Sequence, residues 1–177
     1  MNAHNTRSSG SDAAIALRPI RPDDQAFLLE VYASTRQLEL AAVPWDAGQK
    51  AAFVRMQFDG QHAYYQEHYR NAAFDVILVA GQPAGRLYVA READEIRIVD
   101  IALLPDFCNR GIGTTLLRGL QAEAAAAGKP LRIHVERFNP ALSLYERLGF
   151  RPIEDKGVYL FMEWRGDNSQ SPTPNSQ

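Results

Sequence analysis

Two glycines stand directly after an apolar run, at a point where a strand is expected to give way to a helix. The run covers residues 96–104 and stops at Pro105, and Gly111 and Gly113 precede a segment with helical spacing of its apolar residues. Because glycine has no Cβ, the backbone there can come close to a ligand. The free N–H groups and the dipole of a helix start favour an anion at such a point. The spacing therefore predicts a site for a phosphate-bearing ligand at residues 110–114.

This loop departs from the two commonest phosphate-binding patterns. A Walker loop needs Gly-Lys-Ser or Gly-Lys-Thr at a fixed spacing, and no such triplet follows Gly113. A dinucleotide fingerprint needs a third glycine where Leu116 stands, and it follows the first strand of its unit rather than the fourth. By itself the spacing is as compatible with a packing turn as with a ligand loop, so the function depends on a second stretch.

That second stretch covers residues 139–150 and reads NPALSLYERLGF. Asn139 suits a helix N-cap, and Pro140 suits the first helical position. A tyrosine with an ordinary pKa of about 10 is protonated at neutral pH, so Tyr145 can donate a proton. The alternative for Tyr145 is a packed helix residue whose hydroxyl only forms a hydrogen bond.

Together with the loop, which reads CNRGIG over residues 108–113, this stretch resembles the signature of the GNAT superfamily of N-acetyltransferases. Members carry Gln/Arg-x-x-Gly-x-Gly/Ala after the fourth strand, and an Asn-x-Ala helix with Leu-Tyr that closes on Gly-Phe. The resemblance covers residues 15–164 and is most specific over residues 100–150. Cys108 departs from the pattern because Gln or Arg is usual there, which leaves the part played by the first loop side chain open.

The resemblance implies an α/β fold, with a mixed and mostly antiparallel sheet of about seven strands flanked by about four helices. We expect one acetyltransferase domain over residues 13–164, and the polar composition of residues 1–12 and 165–177 predicts disordered tails. Helical spacing predicts one helix over residues 47–58 and a second piece over residues 62–69, beyond Gly60. Further helices are predicted from residue 22 onward, over 111–127 and over 140–148, and strands over 14–18, 74–80, 84–91, 95–104, 131–136 and 158–164.

The resemblance also implies a site for acetyl-CoA as acyl donor, and no metal. In the family, backbone after the central strand pairs with the pantetheine arm, and the loop amides bind the pyrophosphate. Asn139 would also touch the donor, and Tyr145 would both contact it and protonate the departing thiolate. The side chains of Arg110 and Thr114 would assist at the phosphates, although Arg110 also suits a solvated loop cation. The implied backbone positions are Ile101, Ala102, Leu103 and Leu104 for the arm, and Arg110, Gly111, Ile112, Gly113 and Thr114 for the pyrophosphate.

The general base is less closely defined. In residues 131–136 the apolar side chains face one way and the polar ones the other, because side chains alternate along a strand. His134 lies on the polar face, five residues before the helix cap, where some family members place a glutamate base. An imidazole titrates near neutrality and can accept the ammonium proton directly or through water. A histidine bonded only to its neighbours is an equal alternative, and Glu95 and Asp100 are rival bases.

The acceptor pocket of this fold usually lies at the first two helices and their loops. Glu39 is our candidate contact there for a cationic amine. The expected activity is transfer of an acetyl group from acetyl-CoA to a primary amine of a small molecule or peptide, by direct attack in a ternary complex. A non-catalytic acyl-CoA-binding module of the same fold is the alternative, and a transferase of longer apolar acyl groups is a third. The presence of Tyr145 favours an enzyme over the module.

Charge and composition limit the partners. The 177 residues carry a formal net charge of -2, so bulk electrostatics give no reason to expect nucleic acid or an anionic membrane. Cys108 is the only cysteine, which excludes an intramolecular disulfide and fits a reducing cytoplasm. No apolar run approaches the roughly 18 residues of a membrane span, and the first twelve residues lack the apolar region of a signal peptide. A homodimer is a further candidate assembly.

Overall fold

The computed structural model describes residues 14–166 of the chain. The segments predicted to be disordered tails, residues 1–12 and 165–177, lie outside this range apart from residues 165 and 166. The described residues form a sheet with helices against both faces, which confirms the predicted mixed α/β fold.

Seven strands form one sheet, and every neighbouring pair except one is antiparallel. The strands are β1 (Ile15–Pro19), β2 (Ala73–Val79), β3 (Gln82–Arg91), β4 (Ile96–Leu103), β5 (Leu131–Glu136), β6 (Arg151–Asp155) and β7 (Tyr159–Trp164). Their order across the sheet is β1-β2-β3-β4-β5-β7-β6, and the parallel pair is β4 and β5 at its centre.

The sequence pattern missed β6. Every residue of this strand is exposed, and it contains Pro152, so neither an apolar run nor an alternation marks it. A proline is tolerated at the edge of a sheet, because the outer side of an edge strand needs no ladder bond. β6 lies at that edge and pairs only with β7, with a register irregularity between Pro152 and Glu154.

Among residues 14–166, four α-helices flank the sheet: α1 (Gln25–Ala41), α2 (Ala47–His68), α3 (Ile112–Ala127) and α4 (Leu142–Arg147). α2 runs through Gly60 without a break, so the prediction of two separate helical pieces is wrong. One glycine inside a helix costs only about 1 kcal/mol relative to alanine, which packing of the helix easily exceeds. α4 is shorter than predicted, since it begins at Leu142 rather than at Pro140.

The two faces of the sheet are covered by different helices and carry different hydrophobic clusters. α3 and α4 pack on an apolar face, where Leu117 and Tyr145 join the main core. α1 and α2 form a smaller cluster of their own around Tyr32 and Phe58. Burial alternates along β5 as predicted, with its apolar residues in the main core and its polar residues on the opposite face. Polar side chains of the sheet therefore lie on the face that α1 and α2 cover.

The central strands part after a short contact. β4 and β5 pair only over residues 96–98 and 131–133, although both strands continue beyond this point. A β-bulge accompanies the parting, because Tyr88 of β3 opposes Asp100 while Val89 opposes Ile98, which leaves Val99 as the extra residue. A bulge bends its strand and increases the local twist. The edge of β4 that faces β5 is thus unpaired beyond residue 98 in the described structure.

Gly85 sets how closely β3 can approach this part of β4. A Cβ built on Gly85 would lie 2.1 Å from the carbonyl oxygen of Ala102 and 2.9 Å from the Cα of Leu103. Both obstacles are backbone, so they can yield only if the strand moves.

We expect Gly85→Ala to lower the free energy of unfolding by about 1–3 kcal/mol, because the added methyl group forces β3 and β4 apart. Gly119→Ala is the matched control: a Cβ at this α3 position meets nothing within 4 Å. The control should stabilise the helix by up to about 1 kcal/mol. Urea unfolding of both variants measures the difference, and equal stabilities would contradict the clash.

Candidate functional site

The glycine loop and the start of α3 form a set of free backbone donors. Gly111 is the N-cap of α3, with φ of 79°, and Asn109 before it also has a positive φ of 58°. The first N–H groups of a helix have no partner within the helix. The first backbone hydrogen bond within α3 runs from the Thr115 N–H to the Gly111 carbonyl oxygen, at 2.9 Å. The amides of residues 112–114 are therefore available to an anion, as the sequence predicted for this loop.

The side chains of Arg110 and Cys108 have different surroundings in the loop. Arg110 is exposed, with its guanidinium carbon 5.6 Å from the centre of the Phe107 ring. The Cys108 thiol points back along the chain, 3.5 Å from the carbonyl oxygen of Leu104. The Cys108 thiol thus contacts local backbone, whereas solvent or a ligand can reach the Arg110 guanidinium.

The unpaired edge of β4 offers further backbone groups. Leu104 N–H donates to the carbonyl oxygen of Ala84 at 2.8 Å, so residue 104 faces β3. Bonding direction alternates along an antiparallel pair, so Ala102 also faces β3. Ile101 and Leu103 then present their N–H and C=O groups to the gap between β4 and β5. Of the four backbone positions predicted to meet a ligand, these two have the orientation to do so.

Tyr145 lies on α4, beneath the apolar face of this gap. It is 4% exposed, and its ring meets Phe150 edge-on with a centroid distance of 5.6 Å. Burial raises the pKa of the Tyr145 phenol above its usual value, and the negative charge of Asp100 raises it further. No described residue accepts or donates a hydrogen bond at its hydroxyl. Tyr145 is therefore a neutral proton donor without a protein partner.

Asn139 organises the turn before α4. Its Oδ1 accepts a hydrogen bond from Ala141 N–H at 2.8 Å, and its carbonyl oxygen accepts one from Leu142 N–H at 3.0 Å. The prediction that Asn139 is the N-cap of this helix is wrong: Ala141 is the N-cap, and the Asn139 side chain closes an Asn-centred turn before the regular helix begins at Leu142. This turn holds Tyr145 in place behind the loop.

His134 lies at the point where β5 leaves β4. Its ring stacks on Phe161 of β7 with a centroid distance of 4.4 Å, and its Nδ1 is 3.4 Å from a guanidinium nitrogen of Arg97. Burial lowers the pKa of the His134 imidazole, and the charges of Arg97 and Lys156 lower it further. Glu154 and Glu95 oppose this shift of the pKa but do not reverse it. The ring is therefore neutral at pH 7, in the form that accepts a proton.

Of the two rival carboxylates, Glu95 is fully engaged in ion pairs. One of its oxygens is 2.6 Å from Arg97 and the other 2.9 Å from Arg132, and the residue is buried. Arg132 in turn pairs with Glu163 at 2.7 Å. This network leaves no oxygen of Glu95 free for a substrate.

Asp100 is held differently, by an arginine that the sequence reasoning missed. Arg86 of β3 is 3% exposed, and its guanidinium donates to Asp100 Oδ2 at 2.6 Å and to Gln61 Oε1 at 3.0 Å. Its pKa is raised: burial alone would lower it, but Asp100, Tyr88 and Tyr65 together raise it by more. A single charged residue inside the otherwise apolar stretch 84–90, all of it buried, is the signal that could have identified it.

A hollow opens between α1, α2, the last residue of β5 (Glu136) and the first residue of β7 (Tyr159). It consists of two adjoining parts of about 230 Å³ and 370 Å³. Glu39 lies in the first part, at 3.0 Å from Arg36, and Arg36 also reaches Glu136 of β5 at 3.4 Å. Burial opposes the charge of Arg36, but Tyr32, Glu136 and Glu39 raise its pKa above the usual value. The residues lining the two parts are Tyr32, Arg36, Glu39, Phe53, Val54, Met56, Gln57, Gly60, Gln61, Glu136 and Tyr159.

Several of the sequence-predicted residues pack together. Ile112 and Tyr145 belong to one buried cluster, Ile101 and Leu103 of β4 pack against it, and His134 follows the last β5 residue that pairs with β4. Glu39 stands apart from them: it lies on α1 and lines the smaller part of the hollow.

Comparison with known proteins gives a family match and several structures of similar fold. Residues 69–152 match the family model of the acetyltransferase (GNAT) domain. The PaiA N-acetyltransferase from Thermoplasma acidophilum, in complex with coenzyme A, is similar in structure with a TM-score of 0.65 and 19% identity, over 86% of this chain and 99% of that one. YncA from Salmonella typhimurium, a putative acetyltransferase with its cofactor acetyl-CoA, has a TM-score of 0.53 and 22% identity, over 92% of this chain and 99% of that one. The ribosomal-protein-S18-alanine N-acetyltransferase from Escherichia coli has a TM-score of 0.55 and 19% identity, over 88% of this chain and 99% of that one.

These matches confirm the resemblance to the GNAT superfamily. At such low identity the solved structures show a common fold, and two of the three hold coenzyme A or acetyl-CoA. No curated protein matches the chain. Among residues 14–166 there is no helix with the length and apolar character needed to cross a membrane.

We expect the imidazole of His134 to titrate below the ordinary histidine pKa of about 6.5, because burial and two nearby cations disfavour its charged form. Arg97→Gln should move the pKa upward by removing one of those cations. NMR titration of the histidine ring protons measures both values, with His134→Gln to assign the signal. A pKa at or above 6.5 in the unsubstituted protein would contradict this environment.

Proposed function

Because the chain carries a GNAT acetyltransferase domain, we propose that it is an acetyl-CoA-dependent N-acetyltransferase. Its reaction transfers the acetyl group to a primary amine of a small molecule or a peptide, by direct attack within a ternary complex. The supporting observation is that the first residue of α3, the unpaired edge of β4 and the buried Tyr145 meet in one packed cluster. A homodimer and a cytoplasmic location stay predictions.

The acyl donor is held from two directions. Its pyrophosphate lies against the amides of residues 111–114, where the N-terminus of α3 favours negative charge, and Arg110 and Thr114 can add side-chain contacts. Its pantetheine arm contains amide groups that extend the sheet along the free edge of β4, at Ile101 and Leu103. Asn139 borders the same gap through the turn before α4. The gap and its free backbone groups therefore fit an extended, amide-bearing ligand with a charged end.

The acid step belongs to Tyr145. The amine nitrogen forms a bond to the thioester carbonyl carbon, and the carbon–sulfur bond then breaks with its electron pair on sulfur. Tyr145 donates its phenolic proton to that sulfur, and the surplus proton of the newly bonded nitrogen restores the phenol. The raised pKa of Tyr145 keeps the phenol protonated until the thiolate forms.

The base step belongs to His134. The acceptor amine is an ammonium ion at neutral pH and must lose one proton before its lone pair can attack. A neutral imidazole at the parting of β4 and β5 accepts this proton, directly or through a water, and passes it to solvent. Because its pKa is lowered, the acidic limb of the rate profile is expected below pH 6.5.

The acceptor enters through the hollow that α1 and α2 cover. Glu39 and Glu136 share the single cation Arg36 there, so this end of the hollow carries surplus negative charge. A cationic acceptor is favoured by that charge, with Glu39 as its outermost contact.

The decisive experiment follows the release of free thiol from acetyl-CoA in the presence of different amines. Suitable acceptors are spermidine, lysine, kanamycin and a peptide with a free N-terminus. Thiol release that depends on one class of amine supports the transferase. Tight binding of acetyl-CoA without release in the presence of any amine would overturn it and favour a binding module.

Gly113→Leu should weaken acetyl-CoA binding about 100-fold, or roughly 2.7 kcal/mol, because a side chain there obstructs the free amides of α3. A Cβ at Gly113 makes only an ordinary contact of 3.5 Å with Leu144, so the longer side chain extends into the open space beside the start of α3. Gly119→Leu in the same helix meets nothing within 4 Å at its Cβ and serves as control. Calorimetry gives the Kd, and a folded Gly113→Leu protein with unchanged affinity would contradict the placement of the pyrophosphate.

Tyr145→Phe should lower kcat about 10²- to 10⁴-fold while leaving the Kd of acetyl-CoA nearly unchanged, because it removes only the donated proton. The ring contact with Phe150 is retained in this variant. Tyr64→Phe, at an exposed position of α2, is the control and should keep the kcat. If chemistry limits the rate and Tyr145→Phe turns over normally, Tyr145 has only a packing role.

A further inference from the structure

We propose that Asp100 positions the attacking amine, with one carboxylate oxygen held by the buried Arg86 and the other accepting a hydrogen bond from the amine. This inference rests on the proposed function, since it names the group that orients the acceptor in that reaction.

The first observation is the position of Asp100. It follows Val99, the extra residue of the β-bulge, and stands two residues beyond the last paired position of β4 with β5. Here the central strands have just separated, so a side chain of β4 can approach a ligand lying in the gap. The influence of its charge on the pKa of Tyr145 agrees with a place next to the reacting groups.

The second observation is how the carboxylate is held. Asp100 Oδ2 accepts from Arg86 at 2.6 Å, whereas Oδ1 accepts no hydrogen bond from any described residue. The side chain of Asp100 is 15% exposed and that of Arg86 only 4%. One oxygen is thus fixed from inside the protein and the other is open from the solvent side.

The third observation is that burial of the charged Arg86 side chain brings the fold little stability. Its guanidinium lies within 5.8 Å of the Tyr32 ring and 5.5 Å of the Tyr88 ring, and its Nε and the Tyr88 hydroxyl have no partner among the described residues. Burying an ion pair stabilises a fold little, and apolar residues in its place are often neutral or better. A buried arginine with an unsatisfied neighbour therefore favours a role in function over a role in stability.

The fourth observation connects this pair to the acceptor hollow. Gln61 and Tyr32 both line the part of about 370 Å³. Gln61 Oε1 accepts from Arg86 at 3.0 Å, and the Tyr32 ring lies against the same guanidinium. Gln61 and Tyr32 consequently lie between the hollow and the Arg86–Asp100 pair, so the pair lies directly behind residues that an acceptor in the hollow would contact.

The roles of Asp100 and His134 then differ. Arg86 already supplies a counter-charge to Asp100, so we assign Asp100 the acceptance of a hydrogen bond rather than of a proton. An amine that donates one N–H to Oδ1 has its lone pair directed away from the carboxylate, towards the thioester. Proton removal stays with His134, and Glu95 is excluded because Arg97 and Arg132 bind both of its oxygens.

The test compares three proteins with the unsubstituted chain. Asp100→Asn alters the carboxylate with little change of shape, and the double variant Arg86→Met/Asp100→Leu replaces the whole pair by apolar groups. The double variant Arg91→Met/Glu123→Leu removes an exposed Arg–Glu pair of the surface, at 2.5 Å, as matched control. For each we would measure the melting temperature, the Kd of acetyl-CoA by calorimetry, and kcat and KM for the most active amine of the panel.

We expect both Asp100 variants to lower kcat/KM for the amine by about 10- to 100-fold, the range for a lost hydrogen bond to a charged group. The Kd of acetyl-CoA should stay within about twofold, since the donor does not bond to Asp100. The surface control should match the unsubstituted protein in every measurement. Asp100→Asn keeps the test decisive if the apolar double variant does not fold.

Two results would overturn the assignment of Asp100 while leaving the proposed function intact. One is an unchanged kcat/KM in a folded Asp100 variant. The other is a parallel loss of acetyl-CoA affinity and turnover, which indicates a purely structural role. If the unsubstituted protein turns over acetyl-CoA with none of the amines, the proposed function fails, and the role of Asp100 fails with it.

Discussion

The separation of β4 from β5 is the feature on which the rest of the site depends. The two strands pair over only three residues each, and the bulge at Val99 turns β4 away just where the pairing ends. The backbone groups of β4 beyond this point need partners, and the sheet does not supply them. A ligand with amide groups can do so, which explains why a gap in the middle of a sheet is compatible with a stable fold.

The two faces beside the gap have opposite electrostatic character. The face under α3 and α4 is apolar, so Tyr145 keeps its proton there. The face under α1 and α2 carries charges, and its cations lower the pKa of His134. Burial acts on both groups, but it favours the neutral form of each: the protonated phenol and the unprotonated imidazole. One physical effect therefore keeps the phenol protonated on one side of the sheet and favours the unprotonated imidazole on the other.

Polar contacts between distant segments connect α1 and α2 to the strands of the sheet. Arg36 of α1 reaches Glu136 at the end of β5, and Arg86 links β3 to Asp100 of β4 and to Gln61 of α2. These contacts tie α1 and α2 to the same strands that form the gap. They contribute position more than stability, because partly exposed pairs are worth little and buried pairs cost desolvation.

Local sequence determined those parts of the protein that depend on neighbouring residues. Gly111 and Gly113 before a helical pattern indicated the start of α3, and alternation in residues 131–136 placed His134 on the polar face. The Leu-Tyr helix, with its Gly-Phe ending, indicated the family. All of these signals act within about ten residues, the range over which backbone preference and side-chain periodicity operate. The edge strand β6 lacked such a signal, since an exposed strand with a proline has no apolar pattern.

Only the tertiary structure decided which charges meet. Glu95 and Asp100 were equal candidates in the sequence, yet Arg97 and Arg132 occupy both oxygens of Glu95, while Arg86 leaves one oxygen of Asp100 open. The continuity of α2 through Gly60 was also decided by packing, because the helix penalty of one glycine is smaller than the energy of burying the helix face. Long-range pairing of side chains and the burial of whole elements depend on residues far apart in the chain, and no local pattern encodes them.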